Sequence, residues 1–170
     1  MSEGQGAAGG SGPVRPADDE ARALAARLLA GARHGALGTL TAEGAPFVSR
    51  VAVAWDGERG AVVTLVSALA RHAAQMAADP RVSLLVGEPG ARGDPLVHPR
   101  LTLEARAVAI PRPGPEDERL RALWLARHPK ARLYIGFADF GFWRLEPRGA
   151  LLNGGFGRAW TLGPGDLAGP

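Results

Sequence analysis

The chain has 170 residues, no cysteine and a formal net charge of +3, a length that suits one domain with a substantial core. The lack of cysteine excludes disulfides, thiolate nucleophiles and Cys-ligated metals, and it fits a reducing cytoplasm, which is the predicted location. The basic residues are almost all arginines scattered among acids, so nucleic-acid binding is not expected, and no run is long and apolar enough to cross a membrane.

The amino-terminal half predicts a tail, then a helix, several strands and a second helix. Residues 1–17 are rich in glycine, serine and alanine, so we expect a disordered tail. A helix is expected from Asp18, because acids fill its first turn and apolar side chains follow at helical spacing. Apolar alternation and turn residues predict the next elements: strands at 36–41, 46–55, 61–66 and 82–86, and a helix at 68–78.

The start of this second helix carries two basic side chains. Ser67 is a suitable N-cap, and Arg71 and His72 follow in the first turns. Amide groups at a helix start, together with the helix dipole, favour an anion. The pattern therefore predicts a phosphate site and a phosphorylated ligand or cofactor. The alternative is that Arg71 and His72 belong to a solvated helix face.

The carboxyl-terminal half predicts further strands around one more helix. A loop rich in glycine and proline covers 87–99, and a tail begins at 163. Between them we expect strands at 100–110, 140–146, 150–152 and 159–162, and a helix at 116–127. Strands joined by short turns and interrupted by helices predict a single domain over 18–162. Its class is mainly β with flanking helices (α+β), a β-barrel and not a doubly wound parallel sheet.

The other polar residues give weaker signals. His34 and His128 lie at helix ends, where an imidazole can meet terminal carbonyls, and His98 lies in a loop without metal-ligating partners, so no metal site is predicted. Asp139 stands among phenylalanines and is either buried and paired or a turn residue before a strand. The glycines of 154–157 lack the lysine of a phosphate-binding loop and indicate a turn.

Several motifs keep a characteristic order along the chain. In the first half they are Gly44-Ala-Pro46, Asp56-Gly57, Ser67-x-Leu69-x-Arg71-His72-x-x-Gln75 and Asp79-Pro80-Arg81-x-Ser83-Leu84-Leu85. These residues resemble the pyridoxamine 5'-phosphate oxidase-like, FMN-binding split β-barrel family. In the second half they are Tyr134-Ile-Gly-Phe-Ala-Asp-Phe140, Arg144-Leu-Glu-Pro147 and Gly154-Gly-Phe-Gly-Arg158. With these, the chain is most similar to the haem-utilisation (HugZ/HutZ-type) branch.

The resemblance implies a split β-barrel homodimer with two cofactor sites at the subunit interface. In such proteins basic side chains hold the FMN phosphate, hydroxyls add hydrogen bonds, and backbone groups face the isoalloxazine. The matching positions here are Arg50, Arg71 and His72 for the phosphate, Ser49 and Ser67 for the hydroxyls, and Val51 and Val66 for the backbone. Arg50 has the alternative of a surface residue on an exposed sheet face.

The first functional prediction is an FMN-dependent oxidoreductase acting on an unknown small molecule, with no catalytic residue assigned. Vitamin B6 phosphate is not expected as the substrate, because residues 153–160 lack the histidine of the oxidases' substrate motif. The alternative is a haem-binding or haem-degrading protein of the HugZ type. Those proteins resemble this chain at Asp139, an acid that supports a haem-ligating histidine near the carboxyl terminus, but no histidine follows His128 here. A non-catalytic flavin-binding module is the third possibility.

Overall fold

The computed structural model describes residues 14–167, which form nine strands and four α-helices. The strands are β1 Val14–Pro16, β2 His34–Leu40, β3 Pro46–Ala52, β4 Ala54–Asp56, β5 Ala61–Ser67, β6 Arg81–Val86, β7 Arg100–Ala109, β8 Phe140–Asn153 and β9 Ala159–Leu162. The α-helices are α1 Asp19–Gly31, α2 Arg71–Ala78, α3 Pro115–Arg127 and α4 Pro164–Leu167, with 3₁₀ turns at Pro95–Val97 and Pro129–Leu133. None of the helices in this part of the chain has the length and apolar character needed to cross a bilayer.

The strands form one sheet that curls into a split barrel. The sheet runs in the order β1-β9-β8-β7-β6-β2-β3, and β5 pairs with β8 on one side and β4 on the other. Because β3 continues through Val53 into β4, the sheet closes on itself at that end. No ladder joins the rest of β3 to β5 within residues 14–167, so the barrel stays open there. This architecture confirms the predicted mainly β split-barrel class.

Apolar side chains form two packed clusters. The larger one fills the barrel under α1 and includes Leu37, Leu103 and Trp160. The smaller one lies under α3 and includes Trp124 and Phe142. The two helices also meet at their ends, because the Arg127 guanidinium donates to the last carbonyls of α1, Ala30 to Ala32. These contacts join the end of α3 to the end of α1.

Two predicted strand boundaries differ from the structure. Residues 140–153 form one strand, β8, where we expected two. Pro147 has no N–H to donate, yet the ladder with β7 skips Arg148 as a bulge opposite Glu104 and Ala105 and then resumes. The predicted strand 46–55 is divided at Val53, whose N–H donates to the Arg33 carbonyl instead of continuing the regular ladder.

Parts of the predicted tails are ordered. Residues 14–16 form β1, which pairs in parallel with β9, and Arg15 stacks on Trp160 at 5.8 Å. At the other end α4 buries Leu167, and the Asp166 carboxylate accepts a hydrogen bond from the Gly163 N–H at 2.9 Å. The expected tails were therefore too long at 14–16 and 164–167. Residues 1–13 and 168–170 lie outside the described residues.

Candidate functional site

The first turn of α2 is built differently from those of the two longer helices. In α1 the Asp18 side chain accepts from the Ala21 N–H at 2.8 Å and acids follow, and α3 has three acids in its first turn. By contrast, α2 begins after Ala70 with no side-chain cap and no acid, and it carries Arg71 and His72. Its first amide groups and the positive end of its dipole are therefore left for an anion.

Ser67 is not the N-cap that the sequence predicted. Its hydroxyl donates to Asp139 Oδ2 at 2.5 Å, and its carbonyl accepts from the Ala70 N–H at 3.0 Å. The Ala68 N–H donates to the Asp139 carbonyl at 2.7 Å. These bonds hold residues 67–70 in a turn, so α2 starts at Arg71 and not at 68. The sequence left two alternatives for Asp139, a buried and paired acid or a turn residue before a strand. The structure shows features of both, because Asp139 is partly buried and hydrogen-bonded and lies in the turn before β8.

His72 lies against β3. Its Nδ1 is 3.2 Å from Ser49 Oγ, and the side chain is half-buried. Burial lowers the pKa of His72 below its ordinary value of 6.5, so the imidazole is neutral at pH 7. The predicted pair of cations at the start of α2 is therefore one cation, Arg71, beside a neutral ring.

Arg71 also packs on β3 and keeps its charge unpaired. Its guanidinium lies over the Phe47 ring, 4.6 Å from the centroid, and no carboxylate comes within ion-pair distance of it in the described chain. The pKa of Glu43 in the nearby turn is lowered, first by a hydrogen bond from Thr41 and least by the charge of Arg71. Arg71 is thus positioned by an aromatic ring with its donors available to an anion.

The structure does not bring Arg50 to this cluster. Strand alternation directs Ser49 towards α2, and Arg50 is exposed on the opposite face of β3. The side chains of Val51 and Val66 are buried in the core, so only their backbone groups are available to a ligand. The sequence-predicted phosphate set is therefore divided: Ser49, Arg71 and His72 meet at the start of α2, Ser67 is bonded to Asp139, and Arg50 lies on the outer face.

A groove of about 330 Å³ runs between α2 and the beginning of β8. Five alanines line it, and Trp143 and Asp139 are among the other lining residues. Arg112 also lines it and donates to the Phe137 carbonyl at 2.7 Å, so this guanidinium holds the turn before β8. Sequence reasoning missed Arg112, because its proline-rich segment carried no signal beyond irregular structure. The groove offers an apolar surface next to the turn that leads into α2.

The outer face of the sheet holds a second, more open depression of about 490 Å³. Gly38 and Val48 line it, and Arg148 projects beside it from the bulge in β8. Val48 and Leu85 are exposed on this face, 65% and 41% respectively. Arg50 belongs to the same face. An exposed apolar surface of this kind marks a place where another molecule can bind.

The other three histidines are engaged elsewhere. His128 Nε2 is 2.8 Å from the Val53 carbonyl, and His98 Nε2 is 2.9 Å from the Arg92 carbonyl. His34 is the first residue of β2, with Nδ1 3.3 Å from a Glu88 carboxylate oxygen. The expectation that the His34 and His128 rings cap helix carbonyls was wrong, because each ring meets a group outside the helix it was assigned to.

Comparison with known proteins identifies the family. The family model of pyridoxamine 5'-phosphate oxidase matches residues 19–153. A curated relative, the non-canonical heme oxygenase HOZ of Arabidopsis thaliana, is 34% identical over 143 residues, which are 83% of this chain and 42% of the plant protein. The chain thus spans less than half the length of that relative.

Solved structures agree with this match. The heme binding protein from Mycobacterium smegmatis is 36% identical with a TM-score of 0.78, over 91% of this chain and 61% of that one. HutZ, the heme storage protein from Vibrio cholerae, shares the fold at 23% identity and a TM-score of 0.65, over 78% of this chain and 90% of that one. The chain belongs to the pyridoxamine 5'-phosphate oxidase-like family, near its haem-utilisation branch.

Proposed function

We propose that this protein binds haem and receives the haem propionates at the start of α2. The observation that carries the proposal is the composition of that helix start: free amide groups, no acid and no capping side chain, with the unpaired guanidinium of Arg71. Carboxylates bind amide groups at a helix start and pair with a guanidinium through charge-assisted hydrogen bonds. The α1 and α3 helices have acids in this position, so α2 alone among these three helices lacks its own negative charge.

The relatives favour haem over other anionic cofactors. Two relatives that are at least 34% identical to this chain are haem proteins, one named as a heme oxygenase and the other as a heme binding protein. The groove beside Trp143 offers an apolar surface next to the turn that leads into α2, although Arg71 itself packs on β3 and does not line the groove. We propose haem degradation as a second, more specific step. It goes beyond haem binding because this chain spans only 42% and 61% of the two relatives. The cytoplasmic location stays a prediction from the cysteine-free composition.

FMN is the second candidate, because a phosphate fits the same free amide groups and guanidinium. Its binding would use Arg71, the hydroxyl of Ser49 and the backbone of Val51 and Val66. Bound FMN would supply the redox chemistry of an oxidoreductase, while the chain would anchor and orient it. The non-catalytic flavin module predicted above is favoured if bound FMN is not reduced by a nicotinamide donor.

We also propose that the protein is a homodimer that pairs through the outer face of the sheet. The exposed Val48 and Leu85 and the open depression beside them support this choice of surface. Arg50 lies on that face, so a second subunit is the only route in this proposal by which Arg50 could approach a cofactor. Light scattering after gel filtration measures the mass. A monomer at high concentration would exclude this interface.

The test is a titration of purified protein with ferric haem and, separately, with FMN, followed by visible absorption. The Arg71→Ala variant should bind haem at least about tenfold more weakly, since a hydrogen bond to a charged group contributes about 1.5–3 kcal/mol. Arg132→Ala is the matched control, because Arg132 is exposed and lies in a different part of the fold. Saturable FMN binding without haem binding would identify FMN, and not haem, as the ligand of this site. Equal haem affinity in the two variants would refute the α2 assignment.

A further inference from the structure

We infer that Arg112 is a positioning residue for the start of α2. Its guanidinium holds the turn before β8, and that turn holds the segment from which α2 begins. The consequence for a ligand rests on the proposed function, in which the start of α2 receives an anionic cofactor. Arg112 would then govern the affinity of that site without touching the ligand.

The hydrogen bonds of Arg112 are the first step of the argument. Arg112 follows the end of β7, and its guanidinium donates to the Phe137 carbonyl at 2.7 Å and to the Gly136 carbonyl at 3.3 Å. The same side chain also donates to the carbonyl of Phe140, the first residue of β8. A guanidinium has several donors in a rigid planar fork. One side chain therefore ties together both ends of the turn formed by residues 136–140.

The contacts of Asp139 are the second step, because this residue lies in the turn that Arg112 holds. The Asp139 carboxylate accepts from the Ser67 hydroxyl at 2.5 Å, and its carbonyl accepts from the Ala68 N–H at 2.7 Å. The Ser67 carbonyl in turn accepts from the Ala70 N–H at 3.0 Å, and α2 starts at the next residue, Arg71. A displacement of the turn before β8 would therefore displace the first turn of α2.

The separation of Arg112 from Arg71 is the third step. Arg112 and Asp139 line the groove between α2 and β8, whereas Arg71 packs on the Phe47 ring of β3. Both terminal nitrogens of Arg112 already donate to main-chain carbonyls. The α2 helix has eight residues and is too short to be stable alone, so its start depends on outside attachments. Arg112 thus affects the helix start through the chain and not as a second cation in the anion site.

The first experiment measures amide hydrogen exchange by NMR on the full chain without ligand. Arg112→Gln should raise the exchange rates of the Ala68 and Ala70 amides at least about tenfold, because the turn that holds them loses its charged donor. The amides of α3 should keep their wild-type rates, which would show that the fold is intact. Arg92→Gln is the matched control, because Arg92 is exposed in the loop 87–99, and it should leave all these rates unchanged.

The second experiment is a titration with ferric haem. Arg112→Gln and Arg112→Lys should both bind haem at least about fivefold more weakly, since lysine keeps the charge but lacks the planar fork. Combining Arg112→Gln with Ser67→Ala should cost little more affinity than the larger single loss, because the two side chains act along one connection. A general loss of stability would instead make the two effects add.

The outcomes separate this inference from the proposed function. Wild-type exchange rates at Ala68 and Ala70 in Arg112→Gln would overturn the inference. Wild-type haem affinity in Arg112→Lys, with a loss only in Arg112→Gln, would also overturn it, because Arg112 would then act as a charge. If the wild type binds no haem, the proposed function fails, and the exchange rates alone decide whether Arg112 holds the start of α2. Faster exchange at both amides together with equal losses in the two Arg112 variants supports the inference.

Discussion

The helix that carries the candidate site is attached to the barrel by one buried polar contact, which makes a sharp test. The Thr39 hydroxyl donates to Gln75 Oε1 at 2.7 Å, and both side chains are buried. The α2 helix has only eight residues, too few to be stable alone in water, so it depends on such contacts. Replacing Thr39 by valine keeps the branched shape and removes the donor, leaving the Gln75 oxygen without its partner.

The expected loss for Thr39→Val follows from the burial of both groups. A buried polar group left unsatisfied costs about 1–3 kcal/mol. For a chain of this size each kcal/mol corresponds to about 2–4 °C, so the unfolding temperature should fall by roughly 5 °C. Replacing both partners with apolar side chains, as in Thr39→Val with Gln75→Met, should recover most of this loss. The haem affinity of Thr39→Val should fall as well, because α2 loses an attachment to β2.

Thermal unfolding followed by tryptophan fluorescence measures both effects, since the chain has four tryptophans. The two single variants and the double variant form a double-mutant cycle, whose coupling should be at least about 0.5 kcal/mol for residues in contact. If the losses of the two single variants simply add in the double variant, the contact does not stabilise α2. An unfolding temperature for Thr39→Val equal to that of the wild type would refute the reasoning directly.

Three further outcomes are expected. Arg119→Met should lower the free energy of unfolding by about 3–5 kcal/mol, because the fully buried Asp56 carboxylate loses its ion pair. Urea unfolding measures this, and a loss below about 1 kcal/mol would contradict the prediction. Trp124→Phe should lower the free energy of unfolding by about 1–2 kcal/mol through the cavity that it leaves, with no further loss from the indole N–H, which has no partner in the described chain. Below pH 6.5 the unfolded chain binds a proton at His72 before the folded one does, so stability should fall with falling pH, and His72→Gln should flatten that slope.

The fold was predictable wherever a local signal agreed with the tertiary context. The acids at the start of α1 predicted its first residue within one position, and period-two alternation predicted most of the barrel strands. The division of residues 140–153 was wrong, because whether Pro147 ends a strand depends on a bulge at Arg148 in the ladder with β7. That bulge is a property of the paired strands and has no signature in the sequence of either.

The candidate site was predictable in part for the same reason. Arg71 and His72 are neighbours in the chain, so the sequence alone predicted that both lie at the start of one helix. The bond between Ser67 and Asp139 joins residues 72 positions apart, and no local pattern links them. Alternation along β3 already separated Arg50 from Ser49, while the family resemblance grouped them in one phosphate site. The exposed position of Arg50 agrees with that alternation, and its role at a cofactor site stays a prediction.

The contact between Arg127 and the end of α1 has a consequence for how the chain acquires its structure. The carbonyl of Ala30 is reached by a side chain 97 positions later, at the last residue of α3. During synthesis the first helix therefore emerges well before the group that completes its carboxyl end. We expect hydrogen exchange during refolding to protect the amides of α1 together with those of α3, as one late cooperative unit. The amino-terminal helix would then be among the last elements to become stable.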